Sequence, residues 1–278
     1  MGRTIVVGVD GSARSRAAAD WAAREALQRR LLLQVVHVSE LSGSDLPESW
    51  RDLPRTSSDR TVAELASHPL ELAVEEIRVD GEPTQELLAL GASAEVLVLG
   101  MRGAGGFAGL AVGSVARAVT ESSARPVVLV PGGPACTGTG WRTDKVALGV
   151  DARQPDDAAV DFAFERASRL SVRLRAVHAW KMAGVDGSLS PFAAPDKHRA
   201  AQEDDEVQLL SDALRPWREK YPRVRVLEDV VLWGAGEALV RASGRSELLV
   251  AGRRGNTLGT AVNRLVEHAD CPVVVVPA

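Results

Sequence analysis

The sequence predicts an α/β protein made of two tandem, doubly wound, five-stranded parallel sheets. Three observations predict it: the chain repeats itself, each copy alternates short apolar runs with helical periodicity, and those runs are rich in Val, Leu and Ile, as strands buried on both faces require. A length of 278 residues suits two ordinary domains.

The repeat is read directly. Val7-Gly8-Val9-Asp10 returns as Leu148-Gly149-Val150-Asp151, and Trp21-Ala22-Ala23-Arg24-Glu25-Ala26 returns as Phe162-Ala163-Phe164-Glu165-Arg166-Ala167, both displaced by 141 residues, as are His37 and His178. Glu95-Val96-Leu97-Val98-Leu99-Gly100 matches Glu247-Leu248-Leu249-Val250-Ala251-Gly252 at a displacement of 152, and Pro126-Val127-Val128-Leu129-Val130-Pro131 matches Pro272-Val273-Val274-Val275-Val276-Pro277 at 146. The second copy has therefore gained 11 residues and then lost six. The first domain is expected over 1–131, a linker rich in Gly, Pro and Thr over 132–142, and the second domain over 143–278.

In the first copy, residues 4–9, 31–38, 70–79, 95–99 and 126–130 read as strands. Ala19, Ala22, Ala23, Ala26 and Leu27 recur at helical spacing, with Arg24, Gln28 and Arg29 on the other face, so a covering helix lies between the first two strands. Further helices are expected near 56–67, 83–92 and 114–123, giving β-α-β-α-β-α-β-α-β and right-handed crossovers. In the second copy Val207, Leu210, Leu214 and Trp217 mark a helix near 200–218 that Pro222 helps to end.

Composition narrows the function. Hydrophobic residues at 45% and charged residues at 25% belong to a globular protein. A net charge of −4 offers no basic field for nucleic acid or anionic membrane. The two cysteines, Cys136 and Cys271, lack CxxC spacing, so neither a disulfide framework nor a zinc site is indicated. With no secretory signal at the start and no run long enough to span a bilayer, the expected location is the cytoplasm.

The chemistry gathers after the fourth strand, where five glycines lie between 100 and 109 and Gly113-Ser114 opens the next helix. Glycine lets backbone N–H groups approach a ligand closely, and the helix start adds unpaired donors and a positive dipole end. Phosphates suit that geometry. One anion at a helix end gains about 0.3–1 kcal/mol, so affinity needs several donors together with base and ribose contacts; Arg102 and bound Mg²⁺ would add positive charge. The segment leaves the carboxyl end of a parallel strand, where ligands bind in open α/β folds, and Asp10 closes the first strand at the same edge. Two roles stay open for Asp10: accepting hydrogen bonds from a nucleotide, or turning the chain and capping the following helix with Ser12. His37 and Val38 end the second strand, where a base could rest; no partner carboxylate for His37 is identifiable, so a structural role is expected.

Gly100-x2-Gly103-x9-Gly113-Ser114, Asp10 after the first strand and the Pro126–Pro131 ending resemble the universal stress protein family in its tandem two-domain form, across essentially the whole chain. The resemblance implies an adenine nucleotide α-hydrolase-like fold with strand order 3-2-1-4-5 in each domain. It also implies ATP binding, pairing of the two domains within the chain or of two chains through the last strand, and a role as a sensor or regulator in stress or dormancy. By that resemblance Asp10, Gly11, Ser12 and Val38 would meet the adenosine, and Gly100, Met101, Arg102, Gly103, Gly113, Ser114 and Val115 would hold ribose and phosphates, with Mg²⁺ on the phosphates.

The second copy departs from the motif. Gly252-Arg253-Arg254-Gly255-Asn256-Thr257-Leu258-Gly259-Thr260 keeps both ends but has three residues, not nine, between Gly255 and Gly259, and Asp10-Gly11-Ser12 becomes Asp151-Ala152-Arg153. A loop that short can hardly fold over a triphosphate, so weaker or absent ATP binding is expected there; the loop 181–198 could cover the crevice. No GxxxxGK[ST], HxGH or GxSxG occurs, so dedicated catalysis is not indicated. A slow ATP hydrolase, a scaffold without ligand and a cyclic-nucleotide binder remain open alternatives.

Overall fold

A computed structural model describes residues 3–39, 72–103, 112–132, 144–181 and 196–278. The expected helix near 56–67, the centre of the glycine segment, the linker and most of the loop 181–198 lie outside the described residues. The chain divides into two compact units, one of residues 1–138 with 272–277 and the other of residues 139–271 with Ala278. Both are α/β with parallel strands.

In the first unit the chain runs β1 (Thr4–Gly8), α1 (Ala13–Arg29), β2 (Leu32–Ser39), β3 (Val74–Asp80), α2 (Pro83–Gly91), β4 (Val96–Gly100), α3 (Ser114–Ser122) and β5 (Val127–Val130). The strand order is β3-β2-β1-β4-β5, all parallel. Strand β10 (Val273–Pro277), the last in the sequence, falls in this unit and lies antiparallel to β5, with Val274 opposite Val128. Strands β1 and β5 and the first four residues of β4 are buried throughout, which explains their unbroken apolar sequence. The edge strand β3 differs: Val-Glu-Glu-Ile-Arg-Val-Asp alternates in exposure, and its charges discourage pairing with another chain.

Helix α1 is set by its ends and its alanines. Ser12 caps it by accepting from the Ser15 amide, and Arg30 closes it in the left-handed region at φ 54°. Ala18, Ala19, Ala22, Ala23 and Ala26 are buried, so the helix lies close over β1 and β4. Arg29 corrects the expected polar face: its side chain is 5% exposed and pairs with buried Glu25 and with Glu95. The apolar stripe is wide enough that a charged residue on its border is drawn inward, and two carboxylates compensate it.

The second unit contains β6 (Val146–Gly149), α4 (Asp157–Leu170), β7 (Leu174–Trp180), α5 (Asp196–Lys220), β8 (Val226–Leu232), α6 (Ala235–Ser243), β9 (Leu249–Arg253) and α7 (Thr260–His268). Its strands follow the order β8-β7-β6-β9, again parallel. Phe164, Leu148, Leu174, Leu210, Leu214 and Leu249 fill its core. At the amino edge buried Asp144 holds Arg173 and Arg175 at 2.8 and 2.9 Å; burial works against its charge, yet the two guanidinium groups keep its carboxyl below the ordinary 3.8. In each unit the central strand, β1 or β6, has neighbours reached by crossovers in opposite directions, so a crevice opens at its carboxyl end.

Candidate functional site

At the carboxyl edge of the first unit the structure brings together two segments far apart in sequence. After β1 the Val9 amide donates to the Val36 carbonyl at 2.8 Å, carrying the strand one residue further before Gly11 turns the chain at φ 79°. Only a residue without a side chain takes that conformation freely. Asp10 Oδ1 accepts from the Ser12 amide at 2.9 Å, and its Oδ2 lies where a Cβ on Gly103 would come within 2.4 Å. The Asp10 carboxylate therefore occupies the place a side chain at 103 would take. His37 Nδ1 lies 2.9 Å from the Val9 carbonyl and supports this turn from β2. Val38 follows it, paired with Val79.

The glycine segment is anchored at both ends. The Met101 amide donates to the Val130 carbonyl at 2.9 Å, and the Gly113 amide donates to the Met101 carbonyl at 2.7 Å, which brings Met101 and Gly113 together at the sheet edge. Gly100 is required by close approach, since its Cβ would lie 3.0 Å from the Arg14 backbone. Gly113 caps α3 without a side-chain hydrogen bond, and the first turn of α3 holds no acidic residue, so no carboxylate competes for the amides above Ser114 and Val115. Ser114 is exposed, Val115 is half-buried, and Arg102 is half-buried beside Gly103. Gly105, Gly106 and Gly109 lie outside the described residues. Every other predicted site residue stands at this edge: Asp10, Gly11 and Ser12 after β1, Val38 on β2, Gly100 to Gly103 after β4, and Gly113 to Val115 at the start of α3.

The second unit is built differently at the same place. A crevice of about 530 Å³ lies at the carboxyl ends of β6, β7 and β9, lined by residues that include Val150, Asp151, His178, Trp180, Gly252 and Gly259. Thr257 and Gly259 of the short Gly255–Gly259 loop line it as well. Helix α4 starts later in the repeat than α1, and its N-cap is a carboxylate: Asp156 Oδ1 accepts from the Ala159 amide at 3.1 Å. A Cβ on Gly252 would meet Asp156 Oδ2 at 2.3 Å, where the equivalent Gly100 meets backbone.

Arg153, which replaces Ser12, spans to Glu206 on α5 with both terminal nitrogens, one of them at 2.9 Å. Buried His178 places Nε2 3.0 Å from the same carboxylate and Nδ1 3.2 Å from the Val150 carbonyl. The Arg153 hydrogen bonds are the main reason that the Glu206 carboxyl stays below its ordinary 4.5; burial opposes the shift and His178 assists it. Sequence reasoning missed Glu206, Asp156 and Trp180. Asp156-Asp157 ahead of an alanine-rich helix is a readable cap signal, whereas nothing in the local sequence of α5 marks Glu206 among its acidic neighbours. Among the described residues no cluster of His, Cys, Asp and Glu is arranged to hold a metal ion, and no helix is long and apolar enough to cross a membrane.

Parallel sheets in the order 3-2-1-4, repeated in tandem, define a protein of two doubly wound α/β units. The Universal stress protein family model matches residues 1–131 and again 142–277. A universal stress protein of Mycobacterium tuberculosis is 30% identical over 295 residues, covering 98% of this chain and 96% of its own. Another, from Mycolicibacterium smegmatis, is 29% identical with the same coverage. The crystal structure of a universal stress protein from Archaeoglobus fulgidus matches over 99% of this chain and 96% of its own, with a TM-score of 0.71 at 16% identity. The chain belongs to the universal stress protein family.

Proposed function

We propose that the first unit binds an adenine nucleotide, ATP with Mg²⁺ on its phosphates, and that occupancy of this site is what the protein reports in a cytoplasmic stress or dormancy response. One observation carries the reading: the loop after β4 is pinned shut at its base, with Gly103 against Asp10 and the uncapped start of α3 beside it. Gly103 keeps a side chain out of this space, and the uncapped start of α3 leaves its amides for an anion.

Asp10, Gly11, Ser12 and Val38 would stand toward the adenosine. Gly100, Met101, Arg102, Gly103, Gly113, Ser114 and Val115 would hold ribose and phosphates, through amides at the helix end and the Arg102 guanidinium. These residues fit the group: each glycine admits backbone where a Cβ would intrude or where a ligand would approach, and the phosphate charge would be met by helix-end donors. Mg²⁺, when bound, would neutralise phosphate charge; the chain's own residues would orient the nucleotide. The sequence holds none of the catalytic motifs sought in it, so the reading is a binding protein. Crystals soaked in ATP with Mg²⁺ test it: ordered nucleotide along residues 100–103 and 113–115 is expected, and a first-unit crevice without it overturns the reading.

A further inference from the structure

Two glycines in the first unit are kept bare for one side chain. A Cβ on Gly100, the last residue of β4, would lie 3.0 Å from the Arg14 backbone and 3.2 Å from the Arg14 Cβ. A Cβ on Gly132, two residues beyond β5, would lie 2.8 Å from the Arg14 Nε and 2.9 Å from its Cδ. Neither glycine has a positive φ, so close approach is what each provides. Arg14, the second residue of α1, thus runs from Gly100 across to Gly132, over the carboxyl ends of β4 and β5. The glycine segment leaves the sheet at this same place, where the Met101 amide meets the Val130 carbonyl.

Arg14 is half-buried, and no carboxylate among the described residues pairs with it. Arg16, by contrast, donates to the Gly11 carbonyl at 2.9 Å. A packed stem with an unneutralised guanidinium is a pre-positioned partner for phosphate oxygens, which its planar fork can engage two at a time.

The second copy lacks this device. Displacements of 141 and 146 put Pro155 opposite Arg14 and Ala278 opposite Gly132. Over Gly252, the counterpart of Gly100, stands Asp156, whose Cγ would be 2.6 Å from an added Cβ. Arg254, the counterpart of Arg102, donates to Gln154 at 3.0 Å. Asp10 and Asp151 are counterparts and do not separate the copies; the charge that differs is an arginine over Gly100 and a carboxylate over Gly252.

We infer that Arg14 is a specificity-determining residue of the first-unit nucleotide site, whose guanidinium meets the polyphosphate tail and makes the site prefer a nucleoside triphosphate to the monophosphate. The inference rests on the nucleotide reading of that unit and adds to it a residue and a phosphate preference. The preference follows because the attraction of one fixed cation grows with the charge it faces.

The test is calorimetric titration of the whole chain with Mg²⁺-ATP and, separately, with AMP. Arg14→Met keeps a stem beside Gly132 and removes the charge; ATP affinity should fall about tenfold at low salt, and AMP affinity by less than about twofold. The ATP loss should shrink as salt rises. Arg14→Lys should recover part of it, since an ammonium keeps the charge without the fork. Gly132→Ala displaces the arginine without touching the glycine motif; it should weaken ATP in the unmodified chain and add nothing in Arg14→Met. The inference is overturned if Arg14→Met, shown folded by its thermal transition, binds ATP undiminished, if AMP loses as much as ATP, or if Gly132→Ala acts equally with and without Arg14. An unmodified chain that binds neither nucleotide overturns the first-unit reading as well, whereas one that binds ATP with Arg14→Met indifferent overturns this inference alone.

Discussion

The two units share strand order and the His-to-carbonyl contact beside the central strand, yet they place helix-capping carboxylates at different helices. In the first, α1 is capped by the neutral Ser12 and α2 by Glu82. In the second, α4 is capped by Asp156 and α6 by nothing but backbone. Each carboxylate satisfies helix amides that an anionic ligand would otherwise use. The fold fixes where the helix starts stand at this edge, while the capping residues set which of their amides are already satisfied.

The largest effect that breaks this comparison is steric. Gly103→Val forces a branched side chain into the place of the Asp10 carboxylate. ATP affinity should fall on the order of a hundredfold, about 3 kcal/mol, in calorimetric titration.

Next is the cluster that only the second unit has. Glu206→Ala leaves Arg153 and buried His178 without their carboxylate and should lower unfolding stability by about 2 kcal/mol in denaturant titration. The same carboxyl gives the pH dependence. Because its folded pKa is below the ordinary 4.5, its stabilisation is complete above that value and is lost as pH falls below it toward the folded value. Stability of Glu206→Gln should accordingly change less between pH 5 and pH 3, about the range of ordinary carboxyl titration, than that of the unmodified chain.

A smaller effect separates two glycines of the motif. Gly100→Ala sets a Cβ against the Arg14 backbone, which cannot swing aside, and should destabilise by about 1–2 kcal/mol. At Gly113 the nearest atom is 3.6 Å away and φ is −73°, so Gly113→Ala should stay within about 0.5 kcal/mol in stability and act on nucleotide affinity alone. The smallest change is Arg102→Met, which should weaken ATP only severalfold and lose its effect as salt screens the guanidinium charge.

Much of the first unit was legible because its signals are local. The Val-rich runs, the alanine face of α1 and the spacing from Gly100 to Gly113 each report a constraint within one element or one turn. Arg29 was misplaced because its position depends on Glu95, far away in sequence just before β4, and Glu206 went unseen because Arg153 and His178 reach it across the unit. The shortened loop of the second copy was legible from spacing alone, whereas the approach of Asp156 to Gly252 required knowing that α4 begins late. The gain of charge on β3 became interpretable only once that strand stood at the sheet edge.

The central claim is that one unit of the chain, the first, accepts the triphosphate. Titration of the whole chain with Mg²⁺-ATP by calorimetry, repeated on Gly103→Val, measures this most directly. About one site per chain that vanishes in the variant is the predicted result; two equal sites, or a single site that survives the substitution, would contradict it.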